Sequence, residues 1–211
     1  MTRFIFAFLF LLFAVGNVPA QTLVSPDPKV FESRYTFRNE ECQALGNPAE
    51  LHVFILWSNA RPFQDKIIED LKKTPLTLLE AFESSWPEED VVDNYCTLYG
   101  FNFKEAGEFK KSESGYGPFL IITALDPDPK YKIEMTRNGF KECNNNLLFQ
   151  LKERYREWTG GGWKVHATAS PAESEHDLKT LLGVGYSEYL ETAPKEWDGT
   201  IKHINSTPQS Y

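Results

Sequence analysis

Lysine and arginine are in deficit. The 211-residue chain carries 22 of them against 30 aspartates and glutamates, a formal net charge of −8. That balance argues against a nucleic-acid backbone or an anionic membrane as partner, since like charge repels both. It leaves room for a local anion pocket. Cysteine is sparse too, present only at 42, 96 and 143. No CxxC or paired histidine accompanies the three, so the usual structural zinc sets are absent and no protein-held metal is expected. There is no GxSxG, and Ser170 and Ser174 lack a base in any known order, which disfavours a serine hydrolase. No internal repeat or low-complexity stretch is present. Beyond the N-terminus no apolar run is long enough to cross a bilayer.

The N-terminus reads as a secretory signal peptide over residues 1–20: Arg3, the apolar run from Phe4 to Val15, then Val18-Pro19-Ala20 as a cleavage site. The run is too short for a comfortable membrane span. A secreted, extracellular protein beginning near Gln21 is therefore expected, with no stable membrane insertion. In an oxidising compartment three cysteines imply one disulfide and one leftover thiol. The sequence leaves the pairing open; Cys42 with Cys143 is preferred because Cys96 sits on a helix expected to face the core. Asn205-Ser206-Thr207 is a glycosylation sequon in a polar tail.

The expected organisation is an N-terminal arm (21–50), a domain (51–190) and a polar C-terminal tail (191–211). Leu51–Trp57 (LHVFILW) is a continuous apolar run, read as a buried strand. Pro62–Lys73 reads as a helix with Phe63, Ile67, Ile68 and Leu71 on one face. Leu76–Glu83 is a second strand, and Pro87 opens a helix continued by Val91, Val92, Tyr95, Leu98 and Tyr99. Gly100–Gly117 reads as a loop. Pro118–Leu125 is another buried strand, Asp126–Lys132 a turn, and Lys132–Met135 a short edge strand. Asn144–Trp158 reads as a helix. Strands near 51, 76, 118 and 163, separated by helices, give an α+β sandwich. The arrangement is a ferredoxin-like split βαβ, whose four-stranded antiparallel sheet carries its helices on one face.

The most informative stretch is Tyr155–Gly183, YREWTGGGWKVHATASPAESEHDLKTLLG. Gly160, Gly161 and Gly162 permit backbone conformations closed to other residues. Trp163–Thr168 suits a strand. Ser170 is an N-cap, Pro171 a first helical residue, Glu173 the capping-box acid and Gly183 a stop. His166 thus stands where a strand hands over to a helix N-terminus beside a glycine loop, a place whose backbone N–H groups favour anions.

The run VHATASPAESEHDL resembles the histidine segment of nucleoside diphosphate kinases. DKIIEDL (Asp65–Leu71) is similar to that family's first helix, Asn94-Tyr95-Cys96-Thr97-Leu98 to its His-Tyr-x-Asp-Leu, and GPFLIITAL from Gly117 to its Gly-Pro-apolar strand. The resemblance covers roughly Leu51–Gly183 and implies the family's fold, with an extra helix pair between strands two and three. It places His166 on the phosphate-accepting histidine, Asp177 on the acid that orients it, Thr168 on the family's serine and Tyr95 on its active-site tyrosine. The implied activity is nucleotide-dependent phosphoryl transfer through a phosphohistidine, with Mg²⁺ carried on the nucleotide. A homo-oligomer is implied as well.

The chain also departs from the family. Trp57-Ser58-Asn59-Ala60-Arg61 stands where a phosphate-binding lysine is expected, and Trp163 replaces an asparagine. The long nucleotide-clamping loop is shortened. Arg61, Arg154 and Arg156 are the guanidinium candidates for phosphate, with Gly161 in the adjacent loop. Two readings follow. One is a secreted phosphotransferase acting on a nucleotide or small phosphorylated ligand. The other is a non-catalytic secreted binding protein on the same fold. Catalysis requires His166 open to ligand with Asp177 within hydrogen-bond reach.

Overall fold

The computed structural model describes residues 39–45, 48–137 and 139–205. The signal peptide, most of the arm, and Ser206 and Thr207 of the sequon lie outside the described residues. The elements run α1 (Asn39–Gln43), β1 (Glu50–Leu56), a 3-10 turn (Ser58–Phe63), α2 (Gln64–Leu71), β2 (Thr77–Ser84), α3 (Val91–Tyr99), α4 (Lys104–Ser114), β3 (Phe119–Asp126), β4 (Tyr131–Met135), β5 (Lys141–Asn145), α5 (Asn146–Trp158), β6 (Val165–Ala167), α6 (Pro171–Leu182), α7 (Tyr186–Thr192) and β7 (Ile201–His203).

The main sheet has five strands in the order β6-β1-β3-β2-β7. Strand β1 pairs antiparallel with β3 and β6, and β2 antiparallel with β3. Strand β7 adds to β2 in parallel. The sheet is therefore mixed and five-stranded, not the four-stranded antiparallel sheet expected. The extra strand comes from the segment read as a polar tail. It gives little apolar signal: Ile201 alone packs against the core, while Lys202 pairs with Glu80 and His203 with Glu83 at the edge. Strands β4 and β5 form a separate two-stranded sheet, where a lone edge strand was expected.

Helices cover both faces of the main sheet, not one. Phe54 and Leu56 of β1 pack with Ile67 and Leu71 of α2 and with Leu148, Leu151 and Tyr155 of α5. Leu51, Val53 and Ile55, with Trp57 just beyond, pack with Tyr95 and Leu98 of α3 and with Leu178 and Leu181 of α6. A strand buried on both sides reads as an unbroken apolar run, which is what LHVFILW is.

Helix α4 occupies the stretch read as a loop. Its inward face is Ala106, Gly107, Lys110 and Ser114, with no large apolar side chain to betray it. Gly107 is the contact point. A Cβ there would meet Cys96 Sγ and Val92 O at 2.8 Å each, so only glycine lets α4 lie this close to α3. Cys96 is accordingly the free thiol, half-buried against that crossing. Cys42 and Cys143 form the disulfide, tying α1 to β5. Among the described residues no helix is long and apolar enough to cross a membrane.

Two details set up the site. First, β6 is an edge strand three residues long. Trp57 N donates to Lys164 O at 3.0 Å and Thr168 N to Val53 O at 3.0 Å. The carbonyls of Val165 and Ala167 therefore point off the sheet. They accept from Arg156 Nε at 3.0 Å and Lys152 Nζ at 3.2 Å, both from α5. Second, α6 begins as the sequence predicts. Ser170 is the N-cap, its side chain accepting from Glu173 N, and Pro171 is the first helical residue.

Gly183 ends α6 in the left-handed region at φ +68°. A Cβ there would meet nothing within 4 Å, so replacement is costly only through the backbone. Gly183→Ala is expected to destabilise by about 1 kcal/mol and to lower Tm by about 2–4 °C. A thermal melt followed by circular dichroism checks this; an unchanged Tm would show that the left-handed cap contributes nothing.

Candidate active site

His166 is the central residue of β6, paired with Ile55 of β1. It points to the sheet face covered by α3 and α6. Its Nε2 lies 2.9 Å from Asp177 Oδ2 and 3.8 Å from Glu173 Oε1. The two carboxylates sit four residues apart on α6, so one helix face presents both to one imidazole. Asp177 is 2% exposed, and burial pushes its carboxyl above the ordinary 3.8 while His166 pulls it back. An ionised Asp177 can only accept, so Nε2 carries the hydrogen and Nδ1 keeps its lone pair. Glu173 is steadied by Ala169 N, which donates to its Oε2 at 2.8 Å. His166 itself is buried, 7% exposed, where the sequence reading required it open to ligand: Tyr99 and α6 cover it.

Tyr99 closes the other side, its ring edge-on to His166 at 5.5 Å between centroids. Trp57 Nε1 donates to Tyr99 Oη at 3.0 Å. Burial, and then the nearby Asp177, hold the Tyr99 hydroxyl well above its ordinary range. Tyr95 stands behind, stacked on Tyr99 at 6.3 Å, with its hydroxyl donating to Gly115 O at 2.8 Å. It packs against the wall of the site and does not point into it.

The arginines divide. Arg156 is 9% exposed and beside the site, with Nε on Val165 O and Nη1 donating to Glu153 Oε1 at 2.7 Å. Arg61 pairs with Glu83 on β2, three strands away from β6. Its buried Nη1 has no partner among the described residues. Arg154 donates to Asp70 Oδ2 at 2.8 Å on the opposite face. Neither Arg61 nor Arg154 joins His166, contrary to the expectation that both face phosphate; each is drawn to a carboxylate brought near only by the fold. Gly161 adopts φ +84° in the loop before β6, with its N–H on Arg156 O at 2.7 Å.

Thr168 also departs from its expected role. Its Oγ1 accepts from Val53 N at 2.9 Å, contacts His52 Nδ1 at 3.3 Å and bonds Ser174 Oγ at 2.8 Å. The hydroxyl thus completes the β1–β6 ladder and belongs to a separate buried polar network. There Asn145 Nδ2 lies 3.4 Å from His52 Nε2 and donates to Asp126 Oδ2 at 2.7 Å. Tyr131 Oη donates to Glu50 Oε2 at 2.8 Å within the same network.

Sequence reasoning missed Tyr99, Glu173 as a second carboxylate, and Lys110. Glu173 was legible only as a cap, although its spacing of four from Asp177 was a signal for a shared face. Lys110 lay in the stretch read as a loop.

No family model matches the chain, and no curated protein matches it. Among solved structures, the chain is similar to the Aquifex aeolicus nucleoside diphosphate kinase in its orthorhombic C222 crystal form. The likeness has a TM-score of 0.39 and 14% identity, and covers 62% of this chain and 92% of that one. Among the described residues no group of three or more His, Cys, Asp or Glu side chains is arranged to hold a metal ion.

Proposed function

We propose that this protein is a phosphotransferase-like enzyme in which His166 accepts a phosphoryl group from a nucleotide. The observation that carries this reading is the 2.9 Å contact between His166 Nε2 and the buried Asp177 carboxylate. With the hydrogen fixed on Nε2, the Nδ1 lone pair attacks the γ-phosphorus. An N–P bond forms and the P–O bond to the leaving diphosphate breaks, its electron pair departing with the diphosphate. The product imidazolium keeps its Nε2 hydrogen, and Asp177 balances the charge. Mg²⁺, when bound, enters on the nucleotide and neutralises phosphate charge, with no protein cage of its own. Secretion belongs to the same proposal.

The test is transfer of label from γ-³²P-ATP to the purified mature chain, with His166→Ala alongside. Acid-labile, alkali-stable label in the wild type and none in the variant is the expected result. Absence of label, where a control kinase is fully labelled, would leave a non-catalytic secreted binding protein on this fold. That second reading draws on a specific observation: Arg61 and Arg154 are committed to Glu83 and Asp70, and His166 presents little surface.

A further inference from the structure

The walls around His166 differ in how firmly they are held. Helix α6 is fixed, with Asp177, Leu178 and Leu181 all buried, and Glu173 is tied to Ala169 N at 2.8 Å. Strand β6 is held by the β1 ladder on one edge and by Arg156 and Lys152 on the other. Tyr99 is different. It is the last residue of α3 and only half-buried, with its ring centroid 5.5 Å from that of His166. Phe101, also half-buried, stacks on it at 5.5 Å with 23° between the ring planes.

Between the two rings stands Gly100. The helix is anchored as far as Leu98, whose side chain is buried and whose carbonyl accepts from His176 Nε2 at 2.9 Å. Gly100 then takes φ +63° and turns the chain, and Phe101 N donates back to Cys96 O at 2.9 Å. A glycine exchanges this left-handed conformation for others at little steric cost, so Phe101 can leave without disturbing the helix before it. What then holds Tyr99 inward is one polar bond, from Trp57 Nε1 to its Oη at 3.0 Å. Lys110 Nζ lies 4.5 Å from its ring centroid, and Tyr95 is stacked behind it. A single net hydrogen bond is weak enough for an open minor state to be sampled.

We infer that Tyr99 and Phe101 form a gate over His166, latched by the Trp57–Tyr99 hydrogen bond. Phe101 moves off about Gly100, and Tyr99 turns outward about its Cα–Cβ bond once the latch breaks. The inference rests on the phosphoryl-transfer reading for the need to admit a ligand, and it reconciles that reading with a buried histidine. Closure behind a bound ligand excludes water from the reacting phosphorus. Access to His166, and with it the rate of any chemistry there, is set by the open fraction of the gate.

The experiment is modification of the full mature chain by diethyl pyrocarbonate, with each histidine followed by mass spectrometry. The free lone pair of a neutral imidazole, Nδ1 in His166, attacks a carbonyl carbon of the reagent. An N–C bond forms, and ethyl carbonate leaves with the electron pair of the broken C–O bond. The chain carries its own standards, since the His203 side chain is 80% exposed and His52 is fully buried. Wild-type His166 is expected to react more slowly than His203 and faster than His52. Tyr99→Phe keeps the ring and removes the latch, and is expected to speed the reaction of His166 about 5-fold. Phe101→Ala removes the stacked ring, with an expected gain of about 3- to 10-fold. His52 stays unreactive in both variants. His166 as fast as His203 in the wild type shows a pocket that is never shut and overturns the gate. His166 as unreactive as His52 in all three chains, or a rate that neither variant changes, overturns it too. A rise shared by His166 and His52 reports general unfolding and gives the rings a merely structural role, which also overturns it. His166 opened by both variants yet unlabelled by γ-³²P-ATP sinks the phosphoryl-transfer reading alone. Label on His166 with access indifferent to Tyr99 and Phe101 sinks the gate alone.

Discussion

Asp177→Asn is expected to slow phosphoryl labelling of His166 by about 10⁴-fold, as losing the orienting acid of a His–Asp pair does elsewhere. The cause is the tautomer. An asparagine that turns its amide nitrogen to Nε2 donates a hydrogen there and forces the imidazole proton onto Nδ1, the nitrogen required for attack. The His166 position on β6 is held independently by its pairing with Ile55, so geometry survives while protonation fails. The variant should not be unstable. Burial raises the folded-state Asp177 above the ordinary 3.8, so the folded chain resists its ionisation. The stability this group confers is present below 3.8 and lost as pH rises from there through the raised value. At neutral pH the neutral amide removes that penalty, and Tm is expected to hold or rise. A labelling time course paired with a melt at neutral pH checks both halves. Wild-type labelling rates in Asp177→Asn would remove Asp177 from the mechanism, and a collapse in Tm would recast it as structural.

The second large effect lies in the disulfide. Cys42 and Cys143 are 101 residues apart. Cross-linking a loop of that length limits the unfolded chain by about 4–5 kcal/mol in the chain-entropy account. The bond also pins α1 to the β4–β5 sheet, whose two strands are too few to be stable alone. Cys42→Ala with Cys143→Ala is therefore expected to lower Tm by about 10–15 °C, using about 2–4 °C per kcal/mol for a chain of this size. Calorimetry on the double variant, with Cys96→Ala as control, reads the loss. A fall no larger than the control's would mean that α1 and the hairpin are held without the bond.

The relation between sequence and fold differs from element to element. The strand-to-helix passage at His166 was legible because every signal there is local: a cap, a first-turn proline, a stop glycine, and an acid eleven residues on. The doubly buried β1 was legible from its unbroken apolar run. Helix α4 was not, because its buried face is built from small residues and one lysine, and its packing depends on the absence of a side chain at Gly107. Strand β7 was not, because a polar edge strand leaves no period to count. The arginines illustrate a different limit. Arg154 and Arg156 are neighbours in sequence, yet one reaches Asp70 and the other Val165 O. Long side chains choose among partners that only tertiary structure supplies. Thr168 stands just beyond β6, inside the longer strand read from the sequence, and its hydroxyl is taken by the Val53 backbone.

The outer carbonyls of β6 are answered by Arg156 and Lys152. A sheet margin whose acceptors are already occupied by cationic side chains offers no template to a second extended chain. The sheet cannot grow from the histidine side, whether by strand exchange between copies or by fibril-like stacking. Self-association of this protein must use some other surface, and the strand that carries His166 stays out of it.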